Sequence, residues 1–170
     1  MKSKIVYTER IECPVVEDDY SVGLKTYSIQ WMSPVLLSTV NDLDYLKQPG
    51  VYFLYWDSTN KTNFDNLTIP AYLEMLKSEH IFYIGKSGRE YLKVRANKHR
   101  RGLIGDTDKG IRPGKNMLQI SEEMNHNIKN VYFFCGIVED TVVAHMLEPI
   151  FGKKYKRDHG RLPRGNTQKF

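Results

Sequence analysis

The sequence predicts one domain of mixed α/β (α+β) class, a compact sandwich in which strands and helices alternate. Three observations carry this. The runs 51–56, 81–85 and 130–138 are short, strongly apolar and rich in β-formers, as strands buried on both faces are. Between and after them lie segments of helical length and pattern, at 90–101, 116–127 and from about 140 onward. A chain of 170 residues with 41% hydrophobic content is long enough for one real core.

The elements follow in order. Residues 4–16 and 26–31 alternate and are rich in β-formers, which predicts two short strands. Ser33 and Pro34 supply an N-cap and a first helical position, predicting a helix through about Leu46. Gln48-Pro49-Gly50 is turn chemistry that opens the strand 51–56. The polar stretch 57–68 reads as a surface loop, and Ile69-Pro70 leads into a short helix over about 71–79. Strand 81–85 ends on Gly85. A basic helix spans 90–101, with Gly102 where a C-terminal cap belongs. Residues 103–115, rich in glycine, predict a basic loop. Helix 116–127 and strand 130–138 follow, and Asp140 or Thr141 caps a last helix toward Phe151, with a basic tail over 152–170. Residues 1–49 form an N-terminal extension and 57–80 an insertion in this scheme.

Composition narrows the function. The apolar content excludes a disordered chain, and no run approaches the roughly 20 apolar residues of a spanning helix, so no membrane partner is expected. Thr8-Glu9-Arg10 cuts short any signal-like apolar region at the start. Cys13 and Cys135 are too few for a disulfide framework or a zinc site, so reduced thiols and a cytoplasmic location are expected. The net charge of +5 is unevenly placed. Residues 86–115 hold ten Lys/Arg against three Asp/Glu, and 151–170 hold seven against one, while the rest is acidic by eight charges. Such a division predicts a polyanion-binding face and a back that repels polyanions.

Several residues offer matching chemistry. Tyr91, Arg95 and His99, spaced by four, share one face of the basic helix. Arg95 presents a planar fork of donors suited to phosphate oxygens, and His99 exchanges a proton near neutrality. Lys86, directly after Gly85, brings a cation close to Tyr52 or Tyr83 and would favour a phenolate. Glu148 is the only carboxylate from 141 to 157, in an apolar setting where it is costly unless paired or bound to a cation. One carboxylate with substrate phosphate and waters is a common way to hold Mg²⁺.

Gly50-Val51-Tyr52, Tyr83-Ile84-Gly85, Arg95 and His99 on a basic helix, Glu148 and Asn166, in this order, resemble the GIY-YIG nuclease superfamily over about residues 50–166. The resemblance implies a small central, mostly antiparallel sheet flanked by helices, and hydrolysis of DNA phosphodiesters with one divalent ion, Mg²⁺ or Mn²⁺. By the same resemblance Glu148 holds the metal, Tyr52 orients or deprotonates the water with help from Lys86 or His99, Arg95 clamps the phosphate, Tyr83 positions a non-bridging oxygen, and Asn166 closes the site. It further implies 5′-phosphate and 3′-hydroxyl products. Some thirty residues separate Tyr52 from Tyr83, an insertion similar to that of the family's type II restriction endonucleases. Pro149 predicts a kink beside Glu148.

The expected partner is double-stranded DNA, and cutting both strands of a symmetric site calls for a homodimer. Candidate DNA contacts are Tyr91, Lys98, Arg100, Arg101, Arg112, Lys115, Lys153, Arg161 and Arg164, since Lys and Arg hold phosphates and Arg also reads guanine edges. The alternatives are a non-specific or structure-specific nuclease of the same superfamily, acting in repair, phage defence or as a toxin, and a nucleic-acid-binding module that has lost catalysis.

Overall fold

A computed structural model describes residues 5–18, 21–59, 62, 64, 67–88, 90–106 and 114–166. Its centre is one antiparallel sheet formed by β1 (Ile5–Asp18), β2 (Ser21–Met32), β3 (Val35–Leu36), β4 (Gly50–Trp56), β5 (Ile81–Lys86) and β6 (Val131–Ile137). The order is β1-β2-β6-β4-β5, with β3 pairing β6 off this path, so β5 is an edge. The helices are α1 (Ile69–Met75), α2 (Leu92–Leu103), α3 (Lys115–Glu123) and α4 (Thr141–His159).

Strand alternation sends side chains to two cores. Tyr52, Leu54, Phe133 and Cys135 face a layer containing Leu92, Ala96 and Leu103 of α2 and Met117 and Ile120 of α3. Val51, Phe53, Tyr55 and Phe134 face the other, with Tyr72 of α1 and Ala144, Leu147, Phe151 and Tyr155 of α4. The result is a sheet covered on both faces, an α+β arrangement. None of the helices among the described residues is long and apolar enough to cross a membrane. Cys13 and Cys135 are free, buried, and belong to different cores.

Several elements differ from the expectation. The helix predicted over 33–46 is absent. Val35 and Leu36 pair with Phe133 and Tyr132 of β6, and two 3₁₀ turns follow at Leu37–Asp42 and Asp44–Leu46. Leu37 and Val40, three apart and so on one face of the 3₁₀ turn, are both buried. The expected N-terminal extension is part of the same sheet: β2 lies between β1 and β6, and Trp31 is fully buried. The cap of α2 is Ile104 followed by Gly105 at φ +78°, while Gly102 lies inside the helix and is buried. Most of the loop predicted over 103–115 lies outside the described residues.

The last helix does not stop at Phe151. Leu147, Phe151 and Tyr155 recur every four residues on its buried face, and Phe151 packs on Trp31 and Phe53 at 5.7 and 5.5 Å between ring centres. This packing carries α4 through Pro149, Glu148 staying helical, to a left-handed Gly160 at φ +69°. Residues 152–159 of the predicted basic tail are therefore helix.

Candidate active site

Ser87 fixes the ends of β4 and β5 against each other. Its N–H donates to the Gly50 carbonyl at 2.8 Å, and its buried hydroxyl accepts from the Gly50 N–H at 2.7 Å. This clip sets Tyr52 opposite Gly85. A Cβ at Gly85 would lie 2.5 Å from the Tyr52 hydroxyl oxygen and 2.7 Å from Cε1 of Tyr83, so only glycine leaves room for both rings. A bulge adds Phe82 to β5 between the pairs Tyr55–Ile81 and Leu54–Tyr83, which turns Phe82 and Tyr83 into the same α2-side core. The Tyr52 and Tyr83 rings stack with centres 6.0 Å apart.

Helix α2 brings the remaining groups from that side. The Tyr52 hydroxyl and His99 Nε2 are 2.8 Å apart, and the His99 ring lies 4.5 Å from that of Tyr83. Arg95, one turn earlier, lies beside both phenols, and its Nε is buried with no hydrogen-bond partner among the described residues. Burial, and then the Arg95 cation, push the His99 imidazole down to about 3, so it is neutral at pH 7. In the neutral tautomer protonated at Nδ1, Nε2 accepts the Tyr52 O–H.

Both phenols depart from the sequence expectation. Burial raises Tyr52 far above the usual phenol range, with Tyr83 adding to the rise and Arg95 opposing it. Burial likewise raises Tyr83, with Arg95 again the opposing cation. Desolvation of the phenolate outweighs the neighbouring positive charge. Nor is the cation beside the phenols Lys86. Alternation turns Lys86 toward α4, where its Nζ meets Glu148 Oε2 at 2.7 Å.

Glu148 keeps 17% of its side chain exposed, and its charge is felt by both Tyr52 and Tyr83. Acid, guanidinium, imidazole and two phenols are thus gathered round the Gly85 end of β5. Among the described residues no group of three or more His, Cys, Asp or Glu could form an all-protein metal cage. Glu148 is already paired with Lys86, so an ion held there would have to displace that ammonium and draw its other ligands from phosphate and water.

Asn166 acts on the backbone. Its Nδ2 donates to the Ile84 carbonyl at 2.8 Å and its Oδ1 accepts from the Ile84 N–H at 2.9 Å, while the Gly165 N–H donates to the Phe82 carbonyl at 2.6 Å. The chain end thereby covers the open edge of β5 on either side of Tyr83. Asn166 thus spends both ends of its amide on the strand backbone beside Tyr83.

Of the candidate DNA contacts, several already hold partners. Glu90 binds Lys98 through both oxygens at 2.6 and 2.7 Å, and Asp106 binds Arg101 at 2.7 and 3.1 Å. Arg100 Nε donates to Asn97 Oδ1 at 3.0 Å, and Arg164 pairs with Glu123 at 2.5 Å. Tyr91, Lys115, Lys153 and Arg161 are exposed, and Arg112 lies outside the described residues. The Ser87 clip carries no sequence signal, because its partner is backbone 37 residues away. In comparisons with known proteins, the chain matches no protein-family model, no curated protein and no solved structure.

Proposed function

We propose that this protein is a metal-dependent endodeoxyribonuclease of GIY-YIG type, acting in the cytoplasm as a sequence-specific, type II restriction enzyme. The observation that carries the reading is the gathering of Tyr52, Tyr83, Arg95, His99 and Glu148 round one end of β5, with a buried Nε on Arg95 that has no hydrogen-bond partner among the described residues.

In this reading the neutral pair Tyr52–His99 moves the proton. As water attacks phosphorus, the Tyr52 oxygen takes the water's proton and passes its own to His99 Nε2, so no free phenolate is needed. Arg95 pairs with a non-bridging oxygen and the Tyr83 hydroxyl donates to another. The bond from phosphorus to the 3′ oxygen breaks, and that oxygen takes a proton from solvent. Glu148 would hold Mg²⁺ or Mn²⁺, exchanging Lys86 for the ion. When bound, such an ion neutralises charge on the phosphate and the departing oxygen. Two copies would serve the two strands of a symmetric site.

The test is plasmid DNA incubated with Mg²⁺, followed by sequencing of the fragment ends. Discrete fragments with one shared end sequence are expected, and E148Q should cut at least about a thousandfold more slowly. Random ends would move the reading to a non-specific nuclease. Binding without cleavage by the unmodified protein would leave a non-catalytic module.

A further inference from the structure

Helix α4 is apolar on two faces. Val143, Ala144, Leu147, Phe151 and Tyr155 face the sheet and are buried. At about 100° per residue, Val142, Met146 and Pro149 stand on the other side of the helix, with Ile150 on its flank. Val142 is 65% exposed and Ile150 38%, while Pro149 is half-buried and Met146, also half-buried, touches the sheet-side core. Val142, Met146, Pro149 and Lys153 recur at spacings of four, three and four, the pattern of a seam that packs lengthwise on another helix. The sheet accounts for the inner face of α4 and leaves this second stripe to be covered by something else.

The two ends of the stripe carry opposite charge. Glu139 and Asp140 are exposed where α4 begins, and the next acid along the chain, Glu148, is held by Lys86. Lys153 and Lys156 are exposed beyond the apolar part. Neither Glu139 nor Lys153 has an ion pair or a side-chain hydrogen bond among the described residues. Each lies seven residues from Met146, about 10.5 Å along the axis. Within one chain they are therefore about 21 Å apart, too far to pair with each other. Turned end for end about Met146, however, the stripe is its own complement. Val142 then meets the Ile150 of a second copy, Met146 meets Met146, and Glu139 meets Lys153, each contact occurring as a two-fold axis requires.

We infer that the outer face of α4 pairs antiparallel with the same face of a second copy of this chain, on a two-fold axis at Met146. Charge complementarity selects this occupant. An unrelated partner would have to match an apolar centre flanked by an acidic and a basic end, whereas a second copy does so by symmetry. The pairing supplies a surface for the two copies in the nuclease reading, and it does not rest on that reading.

The test is sedimentation equilibrium of the full chain without DNA, in about 0.1 M salt over roughly 1–200 µM protein. The unmodified protein should pass reversibly from monomer to dimer. V142E/I150E, which sets acids against each other twice across the seam, should raise the dissociation constant at least about a hundredfold. E139K and K153E should each raise it about tenfold, although they move the net charge in opposite directions. E139K/K153E should bring it back to within about threefold of the original, because the exchanged charges meet again across the axis. An unmodified protein that stays monomeric throughout leaves this face to another partner and overturns the pairing. So does a dimer that V142E/I150E leaves intact, or a double reversal that restores nothing. Dimers that never cut DNA would end the nuclease reading and keep the pairing, whereas cutting by a strictly monomeric protein would do the reverse.

Discussion

On the α2 side of the sheet, the charges nearest the two phenols are hidden or answered. His99 is held neutral, both phenols are kept protonated, Lys98 and Arg101 are bound by Glu90 and Asp106, and Arg95 buries its Nε among rings. On the α4 side, Glu148 and Lys86 remain partly exposed, and the lysines beyond them have no counter-charge among the described residues. Under the proposed nuclease reading, the difference separates two tasks. Proton transfer needs groups fixed in a desolvated setting, where small displacements are costly. Gathering a polyanion needs charge left free in water, where geometry matters little and counterion release supplies the affinity.

The sharpest way to break this comparison uses two glycines near the site. At Gly85 an added methyl meets two ring systems within 2.7 Å, whereas at Gly88 the nearest neighbour is His145 Nε2 at 3.8 Å. G85A should destabilise by about 1–3 kcal/mol in urea unfolding and displace both phenols, with cleavage falling at least about a hundredfold. G88A should change stability by less than about 0.5 kcal/mol. Equal effects would mean that the α2 side is no more tightly fitted than the α4 side.

Two tyrosines give the next contrast. Tyr72 is buried on the α4 side and donates to the Met32 carbonyl at 3.0 Å, while Tyr52 is buried on the α2 side against His99. Y72F should cost about 1 kcal/mol, by leaving that carbonyl unpaired, and leave cleavage intact. Y52F should cut the rate by about a hundredfold or more. A Y52F enzyme with unchanged turnover would pass the base role to His99.

Much of this fold is legible in the sequence where the cause is local. Strands 51–56, 81–86 and 131–137 announce themselves by both-sided apolar runs between turn residues, and the shared face of Arg95 and His99 follows from a spacing of four. What fails is what depends on distant partners. Val35 and Leu36 become a strand because β6 is there to pair with them, nearly a hundred residues later. The continuation of α4 past Pro149 depends on Trp31 and Phe53 receiving Phe151. At the site the residues are legible but their electrostatics are not. Lys86 finds Glu148 across the sheet end, and the sign of the phenol shifts is set by burial, which no spacing reveals.

A third measurement reads the buried side through pH. An unfolded histidine titrates near 6.5, whereas folded His99 does so at about 3. Between these values the unfolded chain binds the extra proton, so stability rises with pH through that window and is lost as pH falls from 6.5 toward 3. H99Q removes this contribution, its side-chain oxygen still able to accept from Tyr52. The unmodified protein should lose stability relative to H99Q on acidification, at no more than about 1.4 kcal/mol per pH unit, followed by urea unfolding at several pH values. Parallel pH profiles would show that His99 is accessible to protons and not shielded.

The smallest expected effect tests whether the two sides differ in kind or only in pairing. Lys98 and Glu90 are each 41% exposed, so their ion pair contributes little, and E90Q should change stability by less than about 1 kcal/mol. It also removes one negative charge and releases an ammonium that points into water. If α2 is excluded from phosphate contact only because its cations are already answered, E90Q should steepen the salt dependence of DNA binding by nearly 0.9, the signature of one added contact. If α2 instead faces away from the duplex, the slope stays put and only the attraction at long range rises, visible at low salt and gone at high salt. Either result locates α2 relative to the strand, and the first would show that Glu90 keeps α2 from gripping DNA in its own right.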